Sequence, residues 1–319
     1  MRDDRPVLVI AQSGDAVTNA VVAELRERWV PVVRLDIADF PSRVSLTARF
    51  GAGTGLHGSL RTQVRDAELG NIRSLFHRRP SPFEFPDMSQ DERIFAGVQA
   101  RYGFGGVLAS LPRCLYANHP HLMADAEYRP AQFTAAVAIG LDVPATLVTN
   151  DPDEVRAFAE QTGPIVYRPL RELGFTADRV RKLRWTAAED PGGYDGSLRH
   201  TTHLFQARVA RVADARVILV GERVFAVRRE VDEAAGGTDD GSGQLNLVEP
   251  PARLVRALQE FLARFGLQVA AFDFALAADG RWWFLGCDPH AELDWADPLL
   301  NRSFTLALAD LLQRIPDWD

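Results

Sequence analysis

Val269-Ala270-Ala271-Phe272-Asp273-Phe274-Ala275-Leu276, followed by Asp279-Gly280 and then Trp282-Trp283-Phe284-Leu285-Gly286-Cys287, is the stretch on which the fold turns. Two apolar runs of strand length flank an Asp-Gly turn pair, the pattern of a β-hairpin. Trp282 and Trp283 point to opposite sides of their strand, so at least one belongs to a core or an interface. Upstream, Pro250 to Phe265 has the spacing of an amphipathic helix. Before it, Ala234 to Gly243 is small, polar and acidic, the composition of a mobile loop. A further hairpin runs through Arg216–Val220, Gly221-Glu222 and Val224–Val227, with another strand over Thr202–Val209. Downstream, Leu299 to Ile315 reads as a helix.

The rest of the chain alternates. Val7–Ile10 suits a buried strand. Asp15 can cap a helix whose apolar face is Val17, Val21, Val22, Leu25 and Trp29, and Val32–Leu35 follows as a strand. That βαβ opening predicts a parallel sheet. Strands over Ile72–His77 and Cys114–Ala117 flank a helix over Gln90–Leu111. A second unit begins near His121, with a helix over Glu127–Leu141, a strand at Ala145–Val148, a helix capped by Asn150 or Asp151, and a strand over Pro164–Leu170. The expected division is 1–122, 123–198 and 199–319.

The totals exclude several classes. The length allows two or three core-forming units. No apolar run approaches the roughly 20 residues of a membrane span. The N-terminus lacks the apolar region and cleavage site of a signal peptide, so a cytoplasmic location is expected. A net charge of −7 argues against a general nucleic-acid binder. Cys114 and Cys287 are expected as reduced thiols. Lys182 is the only lysine, so arginine carries nearly all the positive charge. Only one glycine follows the first strand, in Gln12-Ser13-Gly14-Asp15, which makes a dinucleotide site there a weak idea.

Eight short strings, in order, carry a resemblance. They are Leu35-Asp36-Ile37-Ala38-Asp39-Phe40-Pro41, His77-Arg78-Arg79-Pro80, Asn118-His119-Pro120, Val143–Asp151, Leu204-Phe205-Gln206, Asp214-Ala215-Arg216-Val217, Phe272-Asp273-Phe274 and Trp283–Pro289. Together they resemble the ATP-grasp peptide maturases that make graspetides, ribosomal peptides cross-linked through side-chain esters or amides. The resemblance runs from about Val7 to Leu312. It implies an α/β ATP-grasp fold preceded by a parallel-sheet domain, and a homodimer or a pairing with another ATP-grasp protein. It also implies a chemistry: ATP phosphorylates an Asp or Glu side chain of a precursor peptide, and a hydroxyl or amine of that peptide attacks the acyl phosphate. Such chemistry needs cations around the phosphates, magnesium bridging them, and a dry cleft.

Carried over residue by residue, the resemblance puts Arg129 and Arg168 where lysines usually touch phosphate, and Gln206 near the adenine. Asp273 and Asp288 fall at metal positions, and Arg216 faces phosphate or the substrate carboxylate. Apart from the resemblance, Arg78-Arg79 is a basic pair able to hold an acidic peptide across the first unit. Arginine keeps the charge but presents a planar fork rather than a point. The bridging glutamate position is Gly286, which supplies no ligand, and the asparagine position is Asp288. Glu292 and Asp294 are the nearby acids that can compensate, and Trp295 persists in an altered run.

Blander readings stand beside these. Arg216 can be a strand arginine paired with Asp214 or a neighbour, Gln206 an exposed strand residue, and Arg78-Arg79 a salt-bridged surface. His119-x-His121 with Asp125 has metal-like types, but lacks a further nearby ligand and reads as structural. Ser13 and Ser110 have no His–Asp partners in a triad pattern. Two functions remain: a magnesium- and ATP-dependent macrocyclase, or a catalytically impaired relative that binds a leader peptide or an active partner enzyme. A generic α/β sugar- or nucleotide-binding protein fits the joint strings poorly.

Overall fold

The computed structural model describes residues 4–171, 196–231, 245–291 and 298–314. The expected loop at 234–243, and Glu292, Asp294 and Trp295, lie outside the described residues.

The chain opens with β1 (Val7–Ile10), α1 (Ala16–Glu27) and β2 (Val32–Leu35). Asp15 caps α1 by accepting a 2.6 Å hydrogen bond from the Thr18 amide, as its position implied. Val21, Val22 and Leu25 are buried, but Trp29 is 74% exposed. The helix ends at Glu27 and Trp29 takes φ +60° in the turn to β2, so it leaves the apolar face on which sequence spacing had put it. An antiparallel sheet of β3 (Ser45–Gly51), β4 (Gly55–Arg61) and β5 (Asp66–Glu68) follows. Sequence analysis assigned nothing to it. Its strands are mostly exposed, so they show no continuous apolar run. Then come β6 (Ser74–His77), α2 (Gln90–Leu108) with a Ser89/Glu92 capping box, and β7 (Leu115–Ala117). The order β2-β1-β6-β7 is all parallel, as the βαβ opening predicted.

The expected helix over 127–141 is shorter and has a separate predecessor: α3 (Pro120–Ala126) precedes α4 (Arg129–Ala138). Pro130 sits in the first turn of α4, where the missing N–H has no intrahelical partner to lose. Next are β8 (Thr146–Thr149), α5 (Pro152–Thr162), β9 (Ile165–Arg168) and β10 (His203–Ala207). β10 lies between β8 and β9 in one antiparallel sheet. The strand expected over Thr202–Val209 thus completes the central sheet, a choice of partner that local sequence does not encode.

The last unit is a five-stranded antiparallel sheet, β13-β12-β11-β14-β15, with β11 (Ala213–Val220), β12 (Arg223–Glu230), β13 (Leu245–Leu247), β14 (Val269–Leu276) and β15 (Trp282–Asp288). Helix α6 (Ala252–Phe265) precedes β14 and ends at Gly266 with φ +63°, a left-handed cap suited to glycine. Helix α7 (Pro298–Leu312) closes the described chain. Every residue of β11 is buried, because the sheet is covered on both faces. Ala213, Ala215, Val217 and Leu219 pack with α3, α4 and α6 through Met123, Phe133 and Phe261. Ile218 and Val220 pack with α1 and α7 through Val21, Leu25 and Leu308.

Two joints lock the parallel-sheet unit to the last one. The Ser74 hydroxyl donates to the Leu312 carbonyl at 2.7 Å. Asn118, 2% exposed, donates to the carbonyls of Val269 and Pro289 and accepts from the amides of Gln268 and Val269. No helix among the described residues is long and apolar enough to cross a membrane. Both cysteines are free thiols, and burial pushes Cys114 up to about 12.

Candidate active site

The site is built on one row of the large sheet. Arg216 on β11 lies directly opposite Asp273 on β14, which lies opposite Gly286 on β15. Directly opposed residues share a face, so all three project the same way. Asp288, two positions beyond Gly286, joins them there. The Arg216 fork closes on both acids: Nη1 is 2.8 Å from Asp273 Oδ1 and Nη2 is 2.9 Å from Asp288 Oδ2. Asp214 is within 2.7 Å of Arg211 Nε, so of the alternatives for Arg216 the pairing with neighbouring acids is the one seen. The other oxygen of Asp288 accepts from the His290 amide at 2.9 Å.

A register shift between Asp273 and Phe274 skips Leu285 in the ladder. A bulged residue is left out of the pairing, and here its carbonyl receives two cations. Arg168 Nη1, at the end of β9, donates to it at 2.8 Å, and Arg129 Nη1, in the first turn of α4, at 3.3 Å. Arg168 Nη1 also donates to Gln206 Oε1 at 2.9 Å, and the Gln206 amide donates to Thr146 Oγ1. Gln206 is 1% exposed, so the exposed-strand reading fails. A Cβ added at Gly286 would come within 2.9 Å of Arg129 Nη1. The guanidinium therefore fills the space into which a side chain at 286 would start. The fold thus gathers five residues singled out in the sequence around Gly286: Arg129, Arg168, Arg216, Asp273 and Asp288.

Arg78 does not face this cleft as a surface residue. It is 3% exposed, its Nε is 3.3 Å from both oxygens of Asp15, and its Nη1 donates to the His290 carbonyl at 2.7 Å. That corrects the surface-pair reading for Arg78: it ties the cap of α1 to the turn after β15. Arg79 is exposed with φ +39°. His119 caps α3 and its Nε2 lies 2.9 Å from the Ala109 carbonyl, a structural role as expected.

Two contributors had no signal in the sequence. Gln132 on α4, 2% exposed, hydrogen-bonds both the carbonyl and the amide of Cys287 and pins α4 to β15. Glu127 receives Arg171 at 2.9 Å and His290 Nε2 at 3.0 Å. The His290 hydrogen bond and the Arg171 charge hold its carboxyl below the usual range. Burial, reinforced by Asp288 and Asp273, pushes the Cys287 thiol well above its ordinary value. Beside the cleft, an open groove of about 620 Å³ is lined by Pro144, Thr162, Ala207, Arg208 and Trp283, with Arg281 5.0 Å over the Trp283 ring. That volume is in the range of small-molecule sites.

Among the described residues the donor set does not suit magnesium. The ion demands six oxygens in near-octahedral order. Asp288 commits both oxygens and Asp273 one, Gly286 offers none, and a guanidinium stands over it. Among the described residues no group of three acidic, histidine or cysteine side chains is placed to hold a metal ion.

No protein-family model matches the chain, and no curated protein does. Solved structures do. A RiPP-associated ATP-grasp ligase from Chryseobacterium gregarium, solved with ADP and a leader and core peptide, is 20% identical over 97% of this chain and 96% of its own, with a TM-score of 0.84. Macrocyclase MdnB from Microcystis aeruginosa MRC is 25% identical over 97% and 99%, with a TM-score of 0.77. The ATP-grasp ligase PsnB, solved with a phosphomimetic variant of its minimal precursor, Mg and ADP, is 19% identical over 98% of each chain, with a TM-score of 0.75. With its parallel sheet, its central and last antiparallel sheets and the cleft between those two, this chain has the ATP-grasp fold in the form seen in RiPP-associated ligases and macrocyclases.

Proposed function

We propose that this chain serves the maturation of a ribosomally made peptide by binding the precursor, with its cleft impaired for magnesium-dependent activation of Asp or Glu side chains. The observation that carries the impairment is the Arg216 fork closed on Asp273 and Asp288 beside a guanidinium-filled Gly286. Whole-length likeness to a ligase solved with a leader and core peptide supports the peptide partner. Arg79, exposed at the end of β6, is our candidate for an acidic peptide's contact.

The second reading is the intact macrocyclase. It is favoured by three arginines gathered where phosphates need cations. In it Arg129 and Arg168 neutralise phosphate while Gln206 holds Arg168 in place, and Arg216 orients the acceptor carboxylate. A homodimer, or a pairing with an active ATP-grasp enzyme, is compatible with both.

Mass spectrometry and binding separate them. The protein is incubated with ATP, MgCl2 and a synthetic Thr/Glu-rich peptide, and binding is measured by fluorescence anisotropy. Saturable binding with unchanged peptide mass supports the binding role. Loss of one water per cross-link establishes the ligase instead. Absence of binding to acidic peptides overturns both.

A further inference from the structure

The misfit between this cleft and magnesium points beyond impairment. We infer that the cleft binds a nucleoside diphosphate without a divalent ion, guanidinium groups taking the role that bridging metal has elsewhere.

The argument starts from where positive charge sits. Metal-bound phosphate sites place a divalent cation between acidic side chains and phosphate oxygens. Here the cation between Asp273 and Asp288 is Arg216, at 2.8 and 2.9 Å. The cation over Gly286 is Arg129. A third, Arg168, is 8% exposed and shares the Leu285 carbonyl with Arg129. Three forks thus come from three separate elements, α4, β9 and β11, onto one stretch of β15. Arg129 lies in the first turn of α4, so the positive end of that helix adds to the field. Guanidinium forks match the oxygen spacing of phosphate, and arginine stays charged at any working pH.

A lone carboxylate needs one fork, whereas a diphosphate can use several. A nucleotide also brings a flat apolar base. Trp283 stands two residues before Leu285 on β15 and lines the groove of about 620 Å³. Cleft and groove are therefore neighbours along β15.

This inference goes beyond peptide binding and is tested apart from it. ADP is titrated calorimetrically into the whole protein in EDTA and again in MgCl2. The expected result is binding in both, with affinities within about threefold, and a loss of at least tenfold, about 1.4 kcal/mol, in Arg168→Met. Gly286→Glu, whose side chain would displace Arg129, should make ADP binding depend on magnesium. Binding only in MgCl2 overturns the inference, as does no binding in either buffer. Arg168→Lys, which keeps the charge, covers the case in which Arg168→Met does not fold. The anisotropy measurement with the peptide is independent, so its failure is not confused with this one.

Discussion

At the residue scale, the decisive contact is the Arg216 fork. Removing one member of a buried charge cluster leaves its partners uncompensated, which costs about 3–5 kcal/mol when burial is complete. Asp273 is 39% exposed at the side chain, so water recovers part of that. Arg216→Met should destabilise the protein by about 2 kcal/mol, read by urea unfolding. It should also let Asp273 and Asp288 attract magnesium, seen as a MgCl2-dependent rise in Tm that the parent lacks; no such rise would show that these acids were never a latent ligand pair. His77 gives a pH dependence. Burial, with His290 nearby, lowers its pKa from the ordinary 6.5 to about 4. The folded state then keeps it neutral while the unfolded chain takes up a proton, so stability falls as pH drops from 6.5 towards 4, by at most about 1.4 kcal/mol per pH unit. His77→Phe should flatten that part of the Tm–pH curve, and an unchanged slope would assign the effect to other groups. The five cleft residues were nameable from the sequence through the family resemblance, three of them inside the eight strings and Arg129 and Arg168 at the positions where the family has lysine. That Arg216 joins Asp273 to Asp288 was not, because residues 57 and 72 positions away must first be brought beside it by the pairing of β11 with β14 and of β14 with β15.

At the element scale, the bulge in β15 organises the cleft. It frees the Leu285 carbonyl for Arg129 and Arg168, and Gln132 then secures the next peptide by hydrogen-bonding Cys287. Gln132→Leu would strand a buried amide and carbonyl, each worth about 1–3 kcal/mol. We expect a loss of about 2–4 kcal/mol and faster hydrogen exchange at Cys287 than in the rest of β15. Exchange that stays uniform along the strand would count against the pin. Most helices, though not α3, and the two hairpins were legible from periodicity and turn residues, with Val269–Leu276 recovered to the residue. The sheet of β3, β4 and β5 was not, since its mostly exposed strands carry little apolar alternation.

At the scale of the molecule, α7 and Asn118 join the first sheet to the last. Asn118 uses both ends of its amide in four hydrogen bonds across that joint. Asn118→Ala should cost about 2–4 kcal/mol by leaving those buried groups unpaired, and should speed hydrogen exchange in β1 relative to β14; equal changes in both strands would count against a joint between two units. The sequence by itself determined most of the helices, the two hairpins and the parallel opening, because these follow from local spacing and turn chemistry, and its resemblance to a known family named the candidate cations and acids. Only the tertiary structure decided which strand β10 joins, that Arg78 lies inside, and that arginines fill the space beside Gly286. Those are matters of long-range pairing and of volume: a missing side chain leaves a vacancy, and the neighbour that reaches it is fixed only when the chain has folded.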